Sequence, residues 1–358
     1  MIDFLIIGGG IAGISAAARL SHLGSVVVLE SEAAIAYHAS GRSAAMFEEN
    51  YGKASVIALN KASRTYHETA NGGVLSPRGL MMIGKADESD AFDADTKAMQ
   101  LDEISVDEAL GMIPILDRAV VTRASYHVGA WDIDTDLLIQ NFVRELRGNG
   151  GVIVTNAAVT GMTRTATGWE VAAGEVYEAR NVVNAAGAWA DRIATMAGIA
   201  PLGFQPYRRS MARIPAPGGR DVSAWPMLFG PGETWYAKAD AGALIVSPAE
   251  EDATVPQDAW AEDMVLAEGL DRYAQHVTEP VTRLLSSWAG LRTFAPDRSL
   301  VLGPSPQDKT FIWCAGQGGY GFQTAPAASK LLVDIITDQQ PDLPDDVVAT
   351  LLPQRFDA

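Results

Sequence analysis

The sequence predicts a mixed α/β fold, α+β overall, in which a parallel sheet of the Rossmann type is joined to a discontinuous, β-rich second part. Three observations carry that prediction. The first thirty residues run strand, glycine turn, helix, strand, acid. A β-meander leads into a second strand and glycine turn near Gly187, and the stretch from Pro201 to about Trp288 is rich in prolines, aromatics and strand-like runs.

The opening unit is Ile2 to Ile7, then Gly8-Gly9-Gly10-Ile11-Ala12-Gly13, an Ala-rich amphipathic stretch to Leu23, and Ser25-Val26-Val27-Val28-Leu29-Glu30. Gly8 permits the tight turn, Gly10 lets the backbone approach a pyrophosphate, and Gly13 lets the helix pack close to the strand. A bound pyrophosphate then meets free N–H groups and the positive end of the helix dipole. Glu30 closes the second strand, where a carboxylate accepts hydrogen bonds from an adenosine ribose and repels a 2′-phosphate. A lone glycine-rich turn occurs in many α/β proteins. Here the flanking strands, the helix and the acid agree, so the unit predicts an adenine dinucleotide, NAD or FAD, with NADP disfavoured.

Composition bounds the rest. The chain has 358 residues, 48% hydrophobic and 20% charged, enough for two interleaved domains with a sizeable core. A net charge of −17 argues against nucleic acid and anionic membranes as partners. The single cysteine, Cys314, lies in an apolar strand-like run, which excludes an intrachain disulfide and multi-cysteine zinc sites. It reads as a buried strand residue, with a covalent cofactor link as the lesser alternative. None of the five histidines has metal-ligand spacing. Met1-Ile2-Asp3 lacks the basic region of a signal peptide, and the uncharged run from Thr310 to Ser329 is broken by glycines and Pro326. The expectation is a cytoplasmic protein without a transmembrane segment.

Further along, His38 to Ala45 is a polar Gly- and Ser-rich connection, the kind of loop in which binding residues concentrate. Leu80 to Ile83 reads as a short strand, and Asp87 to Asp102 as a surface helix. Ser105 caps another helix with acids in its first turn. Asp134 to Arg147 is amphipathic, with Leu137, Leu138, Phe142, Val143 and Leu146 at helical spacing. A strand follows at Val152 to Val154, then short alternating strands from Ala158 to Ala179 around Thr167-Gly168. That meander delivers the chain to Val182-Val183-Asn184-Ala185-Ala186-Gly187. An NAD-dependent dehydrogenase would continue through further βα units, so the meander shifts the balance toward FAD. The last glycine-rich turns end in a helix expected from Ala325 to Thr337.

Five segments occur in order: Ser40 to Ala45, Asn184 to Trp189, Gln205 to Ser210, Trp288 to Arg292, and Gly318 to Thr324. Together they resemble the D-amino-acid oxidase superfamily of FAD-dependent amine oxidoreductases over nearly the whole chain, and within it the bacterial D-arginine dehydrogenases most. The resemblance implies a D-amino-acid oxidase/glycine oxidase-like fold. Its FAD-binding domain would comprise 1–50, 134–200 and 287–358, and its substrate domain 51–133 and 201–286. It implies FAD held non-covalently by Gly8, Gly10, Ile11, Ala12 and Gly13, by Glu30 and Ser31, and by the Arg42, Ser43, Ala44 and Ala45 loop. Ala186, Gly187 and Trp189 would join them, with Arg292, Gly318, Gly319, Tyr320, Gly321, Gln323 and Thr324 at the flavin.

By the same resemblance Arg209 and Arg292 match positions that hold a substrate carboxylate, a task suited to the guanidinium fork. Tyr51 and Tyr236 match phenols facing the substrate, and Gly319 gives close backbone approach. An isolated arginine more often makes a surface salt bridge and an isolated tyrosine more often packs in a core; Arg208 reads as such a surface charge. The implied reaction is hydride transfer from Cα to flavin N5, giving an imino acid that water hydrolyses to a 2-oxo acid and ammonia, with oxygen or a quinone as electron acceptor. Two departures shape the pocket. Leu80 stands where arginine-active relatives carry a glutamate, and Met46 where they carry a histidine. Both favour a neutral or apolar D-amino acid, while secondary or N-methylated amino acids also fit. Glu48 offers a replacement carboxylate for a cationic substrate, against its reading as a solvated loop charge. The contrasting readings are an NAD-dependent dehydrogenase and a non-catalytic flavin subunit of an amine dehydrogenase complex.

Overall fold

The computed structural model describes residues 1–356. The N-terminal unit forms as the sequence dictates: β1 (Ile2–Ile7), α1 (Ile11–Leu20) and β2 (Val26–Leu29). β1 is the pivot of an eight-stranded sheet, with β2 parallel on one side and the Glu175–Asn184 strand parallel on the other. Because Ile7 pairs with Asn184, the two glycine turns emerge side by side at the same edge. A Cβ on Gly8, whose φ is +109°, would lie 2.4 Å from the Ala185 carbonyl oxygen, so this contact requires glycine. A Cβ on Gly13 would lie 1.9 Å from the Gly8 oxygen, which fixes how closely α1 seats on the turn.

The meander is present as Gly161–Arg164, Trp169–Ala173 and Glu175–Asn184, all antiparallel. Its last strand is longer than the separate apolar strand expected from Val182: one ten-residue strand serves the meander at its start and the parallel sheet at its end. Helices Thr135–Gly148 and Gly321–Ile336 pack with α1 on one face of the sheet, and Asp134 caps the former by accepting the Leu137 N–H at 2.9 Å. Ser105 caps its helix as the sequence indicates, and together with Glu108 it forms a capping box. The Asp87 to Asp102 segment holds a shorter helix, Ser89–Ala98.

The helix that follows the last glycine turns begins at Gly321, four positions before the expected Ala325, and Pro326 lies inside it. Proline removes one N–H and disturbs the ladder around it, and a neighbouring helix repairs the damage. From α2 (Ala54–Thr69), Ser63 Oγ accepts the Ala327 N–H at 3.1 Å, and His67 Nε2 donates to the Gln323 carbonyl at 2.9 Å. The helix therefore starts beside the glycine turn.

The second part is a nine-stranded sheet that includes Leu80–Gly84, Gln205–Pro215 and Tyr236–Asp240. Ser286–Phe294 pairs antiparallel along Gln205–Arg213 in this sheet, so the boundary expected at 287 cuts through a strand belonging with the second part. Its length of backbone pairing outweighs its sequence proximity to the glycine turns. A small third sheet joins β3 (Met46–Glu48) to Ala130–Ile133 and Leu75–Pro77. Among the described residues no helix is long and apolar enough to cross a membrane.

Candidate active site

One cavity of about 500 Å³ runs from the paired glycine turns to the nine-stranded sheet. Gly8, Gly10, Ile11 and Ala12 line one end, so the N-terminus of α1 faces whatever fills it, with the Ile11 N–H donated to Ser40 Oγ at 3.0 Å. Glu30 lies beside them, 8% exposed. Its Oε2 accepts the Gly9 N–H at 2.8 Å and its Oε1 accepts the Glu32 N–H at 2.9 Å and the Ser31 hydroxyl at 3.1 Å. The carboxylate is thus aimed by the backbone and keeps lone pairs for a ligand hydroxyl. Ser31, Ala186, Gly187 and Trp189 complete this end. Shape, helix terminus and oriented acid fit an adenine dinucleotide.

The middle of the cavity is bounded by Ser43, Ala44 and Ala45 on one side and by Gly318, Gly319, Gly321 and Gln323 on the other. Ala45 has a positive φ of 22°. Lys238, missed by sequence reasoning, holds this loop: its Nζ donates to the Ala44 and Ala45 carbonyls and pairs with Asp132 at 2.8 Å. Burial lowers the Lys238 pKa from the ordinary lysine value, with Asp132 opposing. The available signal was a lysine flanked by alanines inside an apolar strand. Arg42 borders the cavity, but its guanidinium reaches across to Asp258 and the Ala259 and Ala289 carbonyls. Its contribution is to tie the loop to the nine-stranded sheet.

At the other end, Arg209 and Arg292 lie on adjacent strands whose register pairs Tyr207 with Arg292 and Arg209 with Gly290, so both arginines face the cavity. A Cβ on Gly319 would sit 2.9 Å from Arg292 Cζ, so the glycine backbone lies against the guanidinium. Burial works against the Arg292 charge, but Tyr51, Tyr236 and Glu233 outweigh it and hold its pKa above the usual arginine range. Arg209 is 5% exposed; Nη2 reaches Glu251 at 3.4 Å, while Nε and Nη1 are buried without a partner. Such donors are costly unless an anion meets them. Arg208, by contrast, spends its guanidinium on Glu262 and Asp252.

The Tyr51 hydroxyl donates to Glu233 Oε2 at 2.9 Å, and burial pushes its pKa well above the ordinary phenol value. Glu233 was not anticipated; it comes from a Pro-Gly-Glu turn and has φ +51°, with nothing in the local sequence to mark it as a cavity residue. Tyr236 is buried on the cavity wall with its hydroxyl 3.4 Å from Met211 Sδ. Met46 and Leu80 line the wall, together with Met99, Met211, Met227 and Phe229. Methionine-rich walls are apolar and adaptable. Glu48 also lines it, but buried rather than solvated, with Oε2 2.7 Å from His127 Nε2.

Three expected cofactor residues do not reach the cavity surface. Gly13 backs onto Gly8, the Tyr320 ring packs edge-on to Tyr51, and the Thr324 hydroxyl donates to the Tyr320 carbonyl. Cys314 is also off the cavity, buried behind the Ala12 carbonyl at 3.7 Å, and burial pushes its thiol pKa up to about 12.

Comparison with known proteins agrees with this geometry. A family model described as FAD dependent oxidoreductase (DAO) matches residues 3–335. The chain is 24% identical to FAD-dependent oxidoreductase domain-containing protein 1 of Bos taurus, covering 94% of this chain and 81% of the relative. It is 25% identical to the mitochondrial dimethylglycine dehydrogenase of Homo sapiens over 99% of this chain, and spans 44% of that longer protein. Among solved structures, L-proline dehydrogenase from P. horikoshii superposes with a TM-score of 0.84 at 22% identity, covering 99% of this chain and 98% of that one. Glycine oxidase from Geobacillus kaustophilus gives 0.80 at 21% identity, covering 96% of each.

Proposed function

The chain belongs to the FAD dependent oxidoreductase (DAO) family, and on that premise we propose that it oxidises a free amino acid, a neutral or apolar D-amino acid, to the 2-oxo acid and ammonia. The observation that carries the reading is the pair of cavity-facing arginines, one with buried N–H groups awaiting an anion. FAD, when bound, supplies the acceptor for the hydride leaving Cα. The chain's own residues do the rest. Gly8, Gly10, Glu30 and the Ser43 to Ala45 loop hold the dinucleotide. Arg292 and Arg209 take the substrate carboxylate, and this double anchor fixes which face of Cα is presented.

Tyr51 and Tyr236 place hydroxyls at the rim of the apolar wall, and the Tyr51–Glu233 hydrogen bond keeps a carboxylate within reach of the substrate ammonium and its departing proton. The N-terminus of the Gly321–Ile336 helix stabilises negative charge developing at that end of the cavity. Met46, Leu80 and the other methionines receive the side chain. In this reading the FAD portion comprises the eight-stranded sheet with its helices, and the nine-stranded sheet presents the substrate. The specific kinship to D-arginine dehydrogenases is part of the same proposal, tempered by Leu80 and Met46.

A second reading, oxidation of a secondary or N-methylated amino acid, draws support from relatives named for dimethylglycine and proline. Product analysis separates them. The purified protein is incubated with neutral D- and L-amino acids, proline and N-methyl amino acids, with oxygen or a quinone as acceptor. Ammonia and a 2-oxo acid from a neutral D-amino acid support the main reading. Formaldehyde from an N-methyl acid, or a cyclic imine from proline, supports the second, and no product from any of them overturns both.

A further inference from the structure

We propose that His127 is a specificity-determining residue: by occupying the buried carboxylate of Glu48, it closes the side-chain end of the cavity to cationic substrates. The proposal rests on the reading of the site as one for a free amino acid. Four residues share this corner. Met46 and Glu48 are two apart on β3 and so lie on one face, and Leu80 pairs in register with His127 across two antiparallel strands. Met46, Glu48 and Leu80 all line the cavity.

Glu48 is 5% exposed and rigidly mounted. Its N–H donates to Gln323 Oε1 at 2.7 Å, and its carbonyl accepts from Asn60 Nδ2 at 3.2 Å. Its Oε1 accepts the Asn50 N–H at 3.0 Å, and its Oε2, which makes no hydrogen bond, is faced by His127 Nε2 at the ion-pair distance of 2.7 Å. A Cβ on residue 129 would come within 2.9 Å of His127 Nδ1, so Gly129 provides the space it occupies.

A buried carboxylate on a cavity wall would ordinarily attract a guanidinium or ammonium. Here a cationic side chain must displace His127 to pair with Glu48, and otherwise buries its charge among methionines. A neutral apolar side chain meets no such penalty. The dyad therefore acts by exclusion, a repulsive element added to an apolar pocket.

The test is the ratio of kcat/KM for a basic D-amino acid to that for a neutral apolar one, measured in wild type, His127→Leu, His127→Asn, Glu48→Gln and the Glu48→Gln/His127→Asn double variant. Releasing Glu48 should raise the ratio at least tenfold in either His127 variant, and adding Glu48→Gln should cancel the rise. Glu48→Gln alone should leave the ratio within about twofold, because the masked carboxylate holds no substrate cation, and this arm decides if the His127 variants do not fold. A His127 variant that oxidises neutral amino acids with an unchanged ratio overturns the proposal, as does a tenfold fall in the ratio for Glu48→Gln. If wild type oxidises no amino acid of any kind, the functional reading itself has failed, and the proposal falls with it.

Discussion

Replacing Arg292 with alanine removes the guanidinium that lies against Gly319 and faces the cavity beside Tyr51, Tyr236 and Glu233. If the substrate carboxylate spans two of its N–H groups, the loss is two charge-assisted hydrogen bonds of about 1.5–3 kcal/mol each. A sum of about 3–6 kcal/mol corresponds to a fall of roughly 10²–10⁴ in kcat/KM at about 1.4 kcal/mol per decade. Glu233 pushes the effect toward the upper end, since without Arg292 its carboxylate faces the incoming anion less compensated. Arg292→Lys keeps the charge but not the fork, and should recover about one decade. The assay is anaerobic reduction of the bound flavin in a rapid-mixing instrument, with the oxidised spectrum of each variant confirming that FAD remains bound. An Arg292→Ala protein with native flavin absorbance and kcat/KM within about fivefold of wild type would refute the assignment of Arg292 as carboxylate anchor.

Three further outcomes follow from the same geometry. Gly319→Ala puts a Cβ 2.9 Å from Arg292 Cζ, so it should raise KM roughly tenfold to a hundredfold; saturation kinetics on flavin-replete protein check this. Glu30→Ala removes the acceptor for the Gly9 and Glu32 N–H groups and should weaken FAD binding roughly tenfold to a hundredfold, read by titrating apoprotein with FAD. Burial lowers the His67 pKa from 6.5 to about 4 while its Nε2 donates to Gln323, so the fold favours the neutral ring. The folded value lies below the unfolded one, so this contribution is complete above about pH 6.5 and is lost as pH falls toward 4, a change on the order of 3 kcal/mol. Melting temperature measured against pH should therefore drop across that window in wild type and less steeply in His67→Gln, which keeps a donor without a titrating ring.

The unit β1-α1-β2 was legible because every local signal in it agrees: apolar runs of strand length, glycines spaced for a turn, and an acid where a ribose would lie. The Thr135–Gly148 helix and the meander were legible for the same reason, through period and punctuation. The start of the Gly321–Ile336 helix was not, because the groups that replace the interrupted ladder around Pro326 come from Ser63 and His67, more than 250 residues away. Lys238 and Glu233 were missed on similar grounds. Their roles depend on which loop carbonyl or phenol a distant strand brings near, and no local pattern encodes that. Glu48 lines the cavity, and its neighbour His127 becomes visible only through the register of Leu80 against residue 127.

In the proposed reaction an amino acid delivers hydride from Cα to the FAD of this chain while its carboxylate lies on Arg209 and Arg292. It is tested most directly by mixing the oxidised protein anaerobically with a neutral D-amino acid, in protonated form and deuterated at Cα, and following the visible flavin band. The flavin band should bleach fully, more slowly with the deuterated substrate, and the bleaching should be suppressed in Arg292→Ala. An oxidised spectrum unchanged by every D-, L- and N-alkyl amino acid tried would contradict it.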